Sequence, residues 1–170
     1  MTIRRGRGKV REMGALLALI AAMVVIAVLT AGCSGEEPGS GGKATAAEVW
    51  ERIRPAADLE EMKQGDGDKL LKLYSITVDE VEDFVLYTAS SNVKADELAL
   101  IRLKDAKQSG GVKERIMQHI EAQTAKFKDY RPAEYALVEK HVLTAKGPYV
   151  FFAVSKQADE LEQAFNEALK

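Results

Sequence analysis

The chain has 170 residues, a formal net charge of −2 and a single cysteine. One cysteine cannot form an intramolecular disulfide, so the core must hold together without one. The length is enough for one compact domain but excludes the two-lobed solute receptors of transporters.

The first thirty-two residues have the layout of a secretory signal. Four arginines and one lysine stand against a single acid, Glu12, and residues 14–31 then form an uncharged apolar run. A basic segment, an apolar segment and small residues in this order are typical of such signals. The run of about 18 residues also reaches the lower limit for a membrane-spanning helix, which keeps a retained transmembrane anchor as the alternative.

Residues 30–33, Thr-Ala-Gly-Cys, resemble a bacterial lipobox, with Thr30 where leucine is usual. In such a sequence the cysteine thiol receives a diacylglyceryl group, and a peptidase cleaves just before it. Two acyl chains anchor firmly because each buried CH₂ contributes about 0.8 kcal/mol. We therefore predict that Cys33 is the lipid attachment site of a Gram-positive-type lipoprotein. Both this anchor and a retained helix place residues 34–170 on the extracytoplasmic face of the cell membrane.

Three segments follow: a signal peptide at 1–32, a lipidated cysteine with a Gly/Ser-rich flexible tether at 33–45, and a single domain at 46–170. Removal of residues 1–32 takes away five basic residues and one acid. Residues 33–170 then keep 19 of the 24 basic and 25 of the 26 acidic residues, a net charge of −6. This acidic balance argues against nucleic acid as a partner and leaves membrane binding to the acyl chains.

The domain is predicted to begin with helices. Thr45 and Glu48 have the spacing of a capping box, and apolar residues continue at helical spacing as far as Met62. A second, shorter helix capped by Asp68 is expected to end at Tyr74. A further capping box follows at residues 77–80.

The periodicity then changes to that of strands. Residues 83–89 and 97–103 predict a hairpin, residues 112–127 an amphipathic helix, and residues 135–139 a short helical segment. A second hairpin at 142–145 and 149–155 precedes a closing helix from Ala158. We therefore predict an α+β fold with two ββα units after an N-terminal helix. Its four-stranded antiparallel sheet would carry helices packed on one face.

Three stretches of this domain resemble the landmarks of a known family: residues 81–84 (VEDF), 91–97 (SNVKADE) and 127–135 (FKDYRPAEY). Together with the lipobox they are similar to small lipoproteins of Gram-positive Firmicutes, known as domain of unknown function 4358. The resemblance covers roughly residues 46–170 and rests on the order of the stretches. It implies a surface lipoprotein with an α+β domain and brings no activity, ligand or catalytic residue.

The loop between the first two strands is the first candidate interaction site. Asn92, Lys94, Asp96 and Glu97 bring an amide, an ammonium and two carboxylates close to a hairpin tip. Such a mixture suits a small polar ligand or a protein partner of the envelope. The same residue types also favour turns and keep strand ends soluble, so a structural role is the alternative.

The second candidate surface consists of Tyr130, Pro132 and Tyr135. Aromatic residues beside a proline can form a recognition surface for a partner. The alternative is that they cover the sheet edge and fix the turn between two elements.

The sequence shows no spacing typical of a metal site, a nucleotide site or a catalytic motif. We predict no metal and no cofactor, and we expect His119 and His141 to be structural or exposed. The sequence thus predicts a non-enzymatic, membrane-anchored binding module. The alternatives are a small cell-envelope hydrolase or transferase, and an accessory subunit of an envelope transporter.

Overall fold

A computed structural model describes residues 44–170, so the predicted signal, Cys33 and nearly all of the tether lie outside the described part. The described residues form five helices and five strands. In chain order these are α1 (Ala46–Ile53), β1 (Met62–Gln64), α2 (Gly67–Tyr74), β2 (Val81–Ala89), β3 (Glu97–Leu103), α3 (Ser109–Phe127), α4 (Pro132–Glu139), β4 (Val142–Lys146), β5 (Tyr149–Val154) and α5 (Ala158–Ala168). Within residues 44–170 no helix is both long and apolar enough to cross a membrane.

All five strands belong to one antiparallel sheet in the order β1-β2-β3-β5-β4. The α+β class is confirmed, but the prediction of four strands was wrong. The additional strand is β1, which pairs Met62 with Ala89 and Gln64 with Tyr87 at one edge. The apolar pattern that suggested a helix through Met62 is interrupted because α1 ends at Ile53 and a 3₁₀ turn with Pro55 follows.

Helices cover both faces of the sheet, so the prediction of helices on one face was also wrong. One core lies beneath α2, α3 and α4, and the other beneath α1 and α5. The reason is visible in β3, where Leu98 and Leu100 enter one core while Ala99 and Ile101 enter the other. Successive strand residues point to opposite faces, so an apolar run of this kind needs cover on both sides.

The two hairpins meet in the middle of the sheet, where Leu100 of β3 is paired with Phe151 of β5. Each hairpin leads into a helix, which gives the predicted ββα order twice, with α4 inserted between the two units. The helix after the first hairpin, α3, packs on one face, and α5 after the second packs on the other. The face that carries α2 and α3 also carries the candidate site described below.

Side chains from two strands fix the beginning of the domain. The predicted capping box of Thr45 and Glu48 is present at α1. The N–H of Ala46 also donates to Asp83 Oδ2 of β2 at 2.6 Å, and the Tyr149 hydroxyl of β5 donates to the carbonyl of Ala44. The first helix is therefore held on the sheet from its first residue onward.

The capping box at residues 77–80 is also present, but the cap of α2 lies two residues earlier than predicted. Asp66, not Asp68, accepts the N–H of Lys69 at 2.9 Å, and α2 begins at Gly67. An N-cap residue stands immediately before the first helical residue, which places Asp68 inside the first turn.

Candidate functional site

The loop between β2 and β3 borders a cleft of about 300 Å³ in which all four predicted loop residues come together. Asn92, Lys94, Asp96 and Glu97 line it side by side with residues from two helices and from the end of β2. We call it the loop cleft; its other lining residues are Lys69, Leu73, Thr88, Ala89, Ser90, Ser91, Gln123 and Lys126.

The loop that forms the rim is a tight turn. The N–H of Lys94 donates to the carbonyl of Ser91 at 3.2 Å, and the N–H of Ala89 donates to the carbonyl of Asp96 at 2.8 Å. These bonds continue the β2–β3 ladder to its end and leave Ser90, Ser91 and Asn92 exposed at the tip. The rim is thus fixed by backbone hydrogen bonds while its side chains stay accessible.

Glu97 is the buried floor residue of the loop cleft, with a side chain only 6% exposed. It accepts a hydrogen bond from the Tyr74 hydroxyl of α2, and His119 Nε2 of α3 lies 3.0 Å from both of its oxygen atoms. A buried carboxylate is costly unless such partners compensate it. Burial and, next, the charge of Glu97 raise the pKa of Tyr74 well above its ordinary value, so Tyr74 remains a neutral donor.

Gln123 lies one helical turn after His119 and also lines the loop cleft. Its amide nitrogen is placed 3.4 Å from His119 Nε2, and its buried Oε1 has no hydrogen-bond partner among the described residues. The unpartnered atom is thus a hydrogen-bond acceptor that is closed to solvent, so it is not open to the cleft.

A second cleft, also about 300 Å³, lies on the other side of the Lys94–Asp96 segment. Lys94 Nζ is 3.6 Å from Glu134 Oε1 and 3.7 Å from Glu61 Oε2, and these two carboxylates raise the pKa of Lys94. We call this the acidic cleft, since most of its charged lining is acidic: Asp58, Glu60, Glu61, Asp96 and Glu134, with Lys94 and Lys156.

Asp96 and Glu134 lie close together at this boundary. Glu134 is almost fully buried, and its Oε2 accepts the N–H of Ala95 at 2.9 Å. Burial and, next, the nearby charge of Glu134 raise the pKa of Asp96. The loop segment is therefore attached to α4 by Lys94 and Ala95, and Asp96 separates the two clefts.

The three residues of the second predicted surface differ in their exposure to solvent. Tyr130, just after α3, is 84% exposed, and Pro132 is exposed at the first position of α4. Tyr135 is half-buried and packs against the core beneath α2, α3 and α4. Tyr130 is thus an accessible aromatic residue, whereas Tyr135 contributes mainly to packing.

The residues that the helices add to the loop cleft, above all Lys69, Gln123 and Lys126, were not predicted from the sequence. A weak signal was present, because His119, Gln123 and Lys126 follow one another at helical spacing and so share one face of α3. Nothing local to that helix indicates that this face meets Glu97, which is 22 residues away from His119 along the chain.

The loop cleft is lined mainly by charged and hydrogen-bonding side chains. His119 contacts Glu97 and Gln123, and no serine or threonine hydroxyl among the described residues is hydrogen-bonded to it. Residues 44–170 also contain no group of three or more His, Cys, Asp or Glu side chains that could hold a metal ion.

Comparison with known proteins identifies the family of the chain. Neither a curated protein nor a solved structure matches the chain at a significant level. The model of one family, described as domain of unknown function (DUF4358), matches residues 55–155. The matched region runs from the end of the first helical segment to the residue after β5, and it contains the whole sheet, the loop cleft and all of the acidic cleft except Lys156 and Gln157. The match covers more than half of the chain, and the chain therefore belongs to the DUF4358 family.

Proposed function

We propose that the chain is a lipid-anchored, extracytoplasmic lipoprotein of the Gram-positive type, whose loop cleft binds a small polar ligand without catalysing a reaction. The observation that carries the proposal is the convergence of the loop residues with Lys69, Gln123 and Lys126 above the buried Glu97 network. Compensated buried polar networks keep a binding surface in one shape, which lowers the entropy cost of binding.

The anchor is supported by the order of basic residues, apolar run, small residues and Cys33 in the sequence. Cys33→Ser removes the thiol that the lipid would modify, whereas Ser34→Ala changes the neighbouring residue and keeps the thiol. We expect the first variant to lose the acyl mass and the cleavage before residue 33, and the second to behave like the wild type in membrane fractionation and mass spectrometry. A Cys33→Ser precursor that is cleaved and held on the membrane as before would refute the lipoprotein assignment.

The binding role can be tested with a photo-crosslinking amino acid in the full chain in living cells. Asn92 is exposed on the rim of the loop cleft, and Gln163 is exposed on α5, which packs on the other face of the sheet. We expect small-solute adducts at position 92 and none at position 163. Equal labelling at both positions, or none at position 92, would contradict the proposal. A single envelope transporter protein attached at position 92 would instead support the accessory-subunit alternative.

The hydrolase or transferase alternative receives less support from the site. Its best candidate base, His119, has a side chain that is only 8% exposed and is engaged with Glu97. A general base must come within hydrogen-bond reach of the proton that it removes. Here Glu97 lies in the lining of the cleft and His119 behind it.

A further inference from the structure

We infer that the loop cleft recognises its solute through a carboxylate or phosphate group, bound by Lys69 and Lys126 with hydroxyl groups of the lining as further donors. This inference rests on the proposed binding role of the same cleft and specifies its chemistry. It concerns a small solute that carries one such anionic group.

The charges around the loop cleft differ from those of the rest of the domain. Residues 33–170 carry a net charge of −6, yet three lysines line this cleft. Lys94 is already paired with Glu134 and Glu61, while Glu97 is compensated by its two buried partners. Lys69 of α2 and Lys126 of α3 remain as cations, and no carboxylate among the described residues lies within ion-pair distance of either.

The uncharged lining adds donors. Thr88, Ser90 and Ser91 supply hydroxyl groups next to the two lysines. Hydroxyl and ammonium donors together match the acceptor oxygens of a carboxylate or phosphate, and hydrogen bonds between ionised partners are about twice as strong as neutral ones.

The carboxylate of Asp96 limits how many anionic groups the solute can carry into the cleft. Asp96 also lines the loop cleft, and its carboxylate would repel a second anionic group. The site is therefore expected to take one carboxylate or one phosphate and to place the rest of the solute toward the open rim at Asn92.

The test uses the full chain in detergent micelles, labelled with ¹⁵N and titrated at constant ionic strength with sodium phosphate and, separately, sodium acetate. We expect saturable shifts in the amide resonances of residues 88–97. Lys69→Gln combined with Lys126→Gln should weaken the binding by about tenfold or more. The matched control, Lys72→Gln with Lys128→Gln, removes two exposed charges from α2 and the end of α3 outside the cleft and should leave the affinity within about twofold.

Two results would overturn the inference: amides 88–97 that do not respond to either anion, or equal weakening in both double variants. Spermidine and glucose serve as cationic and neutral probes. If either saturates the same amides while the anions do not, the binding role of the cleft stands and the anion inference is wrong. Preferred binding of phosphate over acetate, or the reverse, identifies which of the two groups the solute carries. The dispersion of the remaining resonances shows that each variant is folded.

Discussion

Arg115 of α3 makes hydrogen bonds to two residues of the segment between α2 and β2, Ser75 and Glu80. Its Nη2 lies 2.6 Å from Glu80 Oε1, and its Nη1 donates to the carbonyl of Ser75 at 2.6 Å. The bond from Arg115 and, next, the backbone N–H of Thr77 lower the pKa of Glu80 from 4.5 to about 2. One guanidinium thereby joins the long helix to the segment between α2 and β2.

Glu80→Gln tests this pair, because glutamine can keep the capping bond to Thr77 but loses the charge. A carboxyl with a lowered pKa in the folded state adds stability above pH 4.5 that is lost as the pH falls toward 2. We expect the variant to be about 1–2 kcal/mol less stable than the wild type at pH 7 after allowance for solvent screening, and this difference to shrink between about pH 4.5 and pH 3. Urea unfolding at several pH values measures both.

Glu82→Gln is the matched control, since Glu82 is exposed and makes no ion pair within the described residues. It should stay within about 0.5 kcal/mol of the wild type. If Glu80→Gln and the wild type lost stability in parallel between about pH 4.5 and pH 3, the ion pair would not be the source of the pH dependence.

At the scale of elements, the Tyr74, Glu97 and His119 side chains join α2, β3 and α3 beneath the loop cleft. Tyr74→Phe removes one donor from a buried carboxylate and should lower the free energy of unfolding by about 1–3 kcal/mol. Tyr87→Phe is the control, because the Tyr87 ring packs on Trp50 and its hydroxyl makes no hydrogen bond among the described residues. Equal stability of the two variants in denaturant unfolding would show that the hydroxyl of Tyr74 contributes nothing.

Replacement of Gly65 or Gly110 by alanine is expected to change the stability of the fold in opposite directions. A Cβ on Gly65 would lie 2.7 Å from Cδ2 and 2.9 Å from Cγ of the fully buried Leu86. Gly65→Ala should therefore cost about 1–3 kcal/mol by forcing β1 and β2 apart. An added Cβ at Gly110, in the first turn of α3, meets no atom within 4 Å, so Gly110→Ala should stabilise the fold by about 0.4–1 kcal/mol. A shift of both melting temperatures in the same direction would contradict this.

Elements with a strong local sequence pattern were predicted correctly, and elements that depend on distant contacts were not. Both hairpins and the helix of residues 112–127 were predicted correctly because their periodicity is long and uninterrupted. Strand β1 was missed because Met-Lys-Gln has no strand pattern of its own and is held by its pairing with β2. The cover on both faces could have been predicted from the uninterrupted apolar residues of β3 and β5. The rim of the loop cleft could be predicted from its turn residues. Its helical wall could not, because it depends on contacts between residues that are distant in the sequence.

At the scale of the whole molecule, one sheet separates two cores. Ile53 lies in the core beneath α1 and α5, and Ile116 lies in the core beneath α2, α3 and α4; both are fully buried. Ile53→Val and Ile116→Val should each cost about 0.5–1.5 kcal/mol, and their effects should add within about 0.5 kcal/mol. Denaturant unfolding of the two single variants and the double variant measures the coupling. A larger coupling energy would mean that the sheet transmits packing changes between its faces.

The attachment of the first residues also has a mechanical consequence. A pull on the chain ahead of Ala44 loads two hydrogen bonds first, the one from Tyr149 and the one to Asp83. Once these break, the force peels α1 from its face of the sheet and uncovers the core that this helix shares with α5. The loop cleft is built from α2 and α3 on the opposite face, so we expect the first helix to yield under tension before the cleft changes shape.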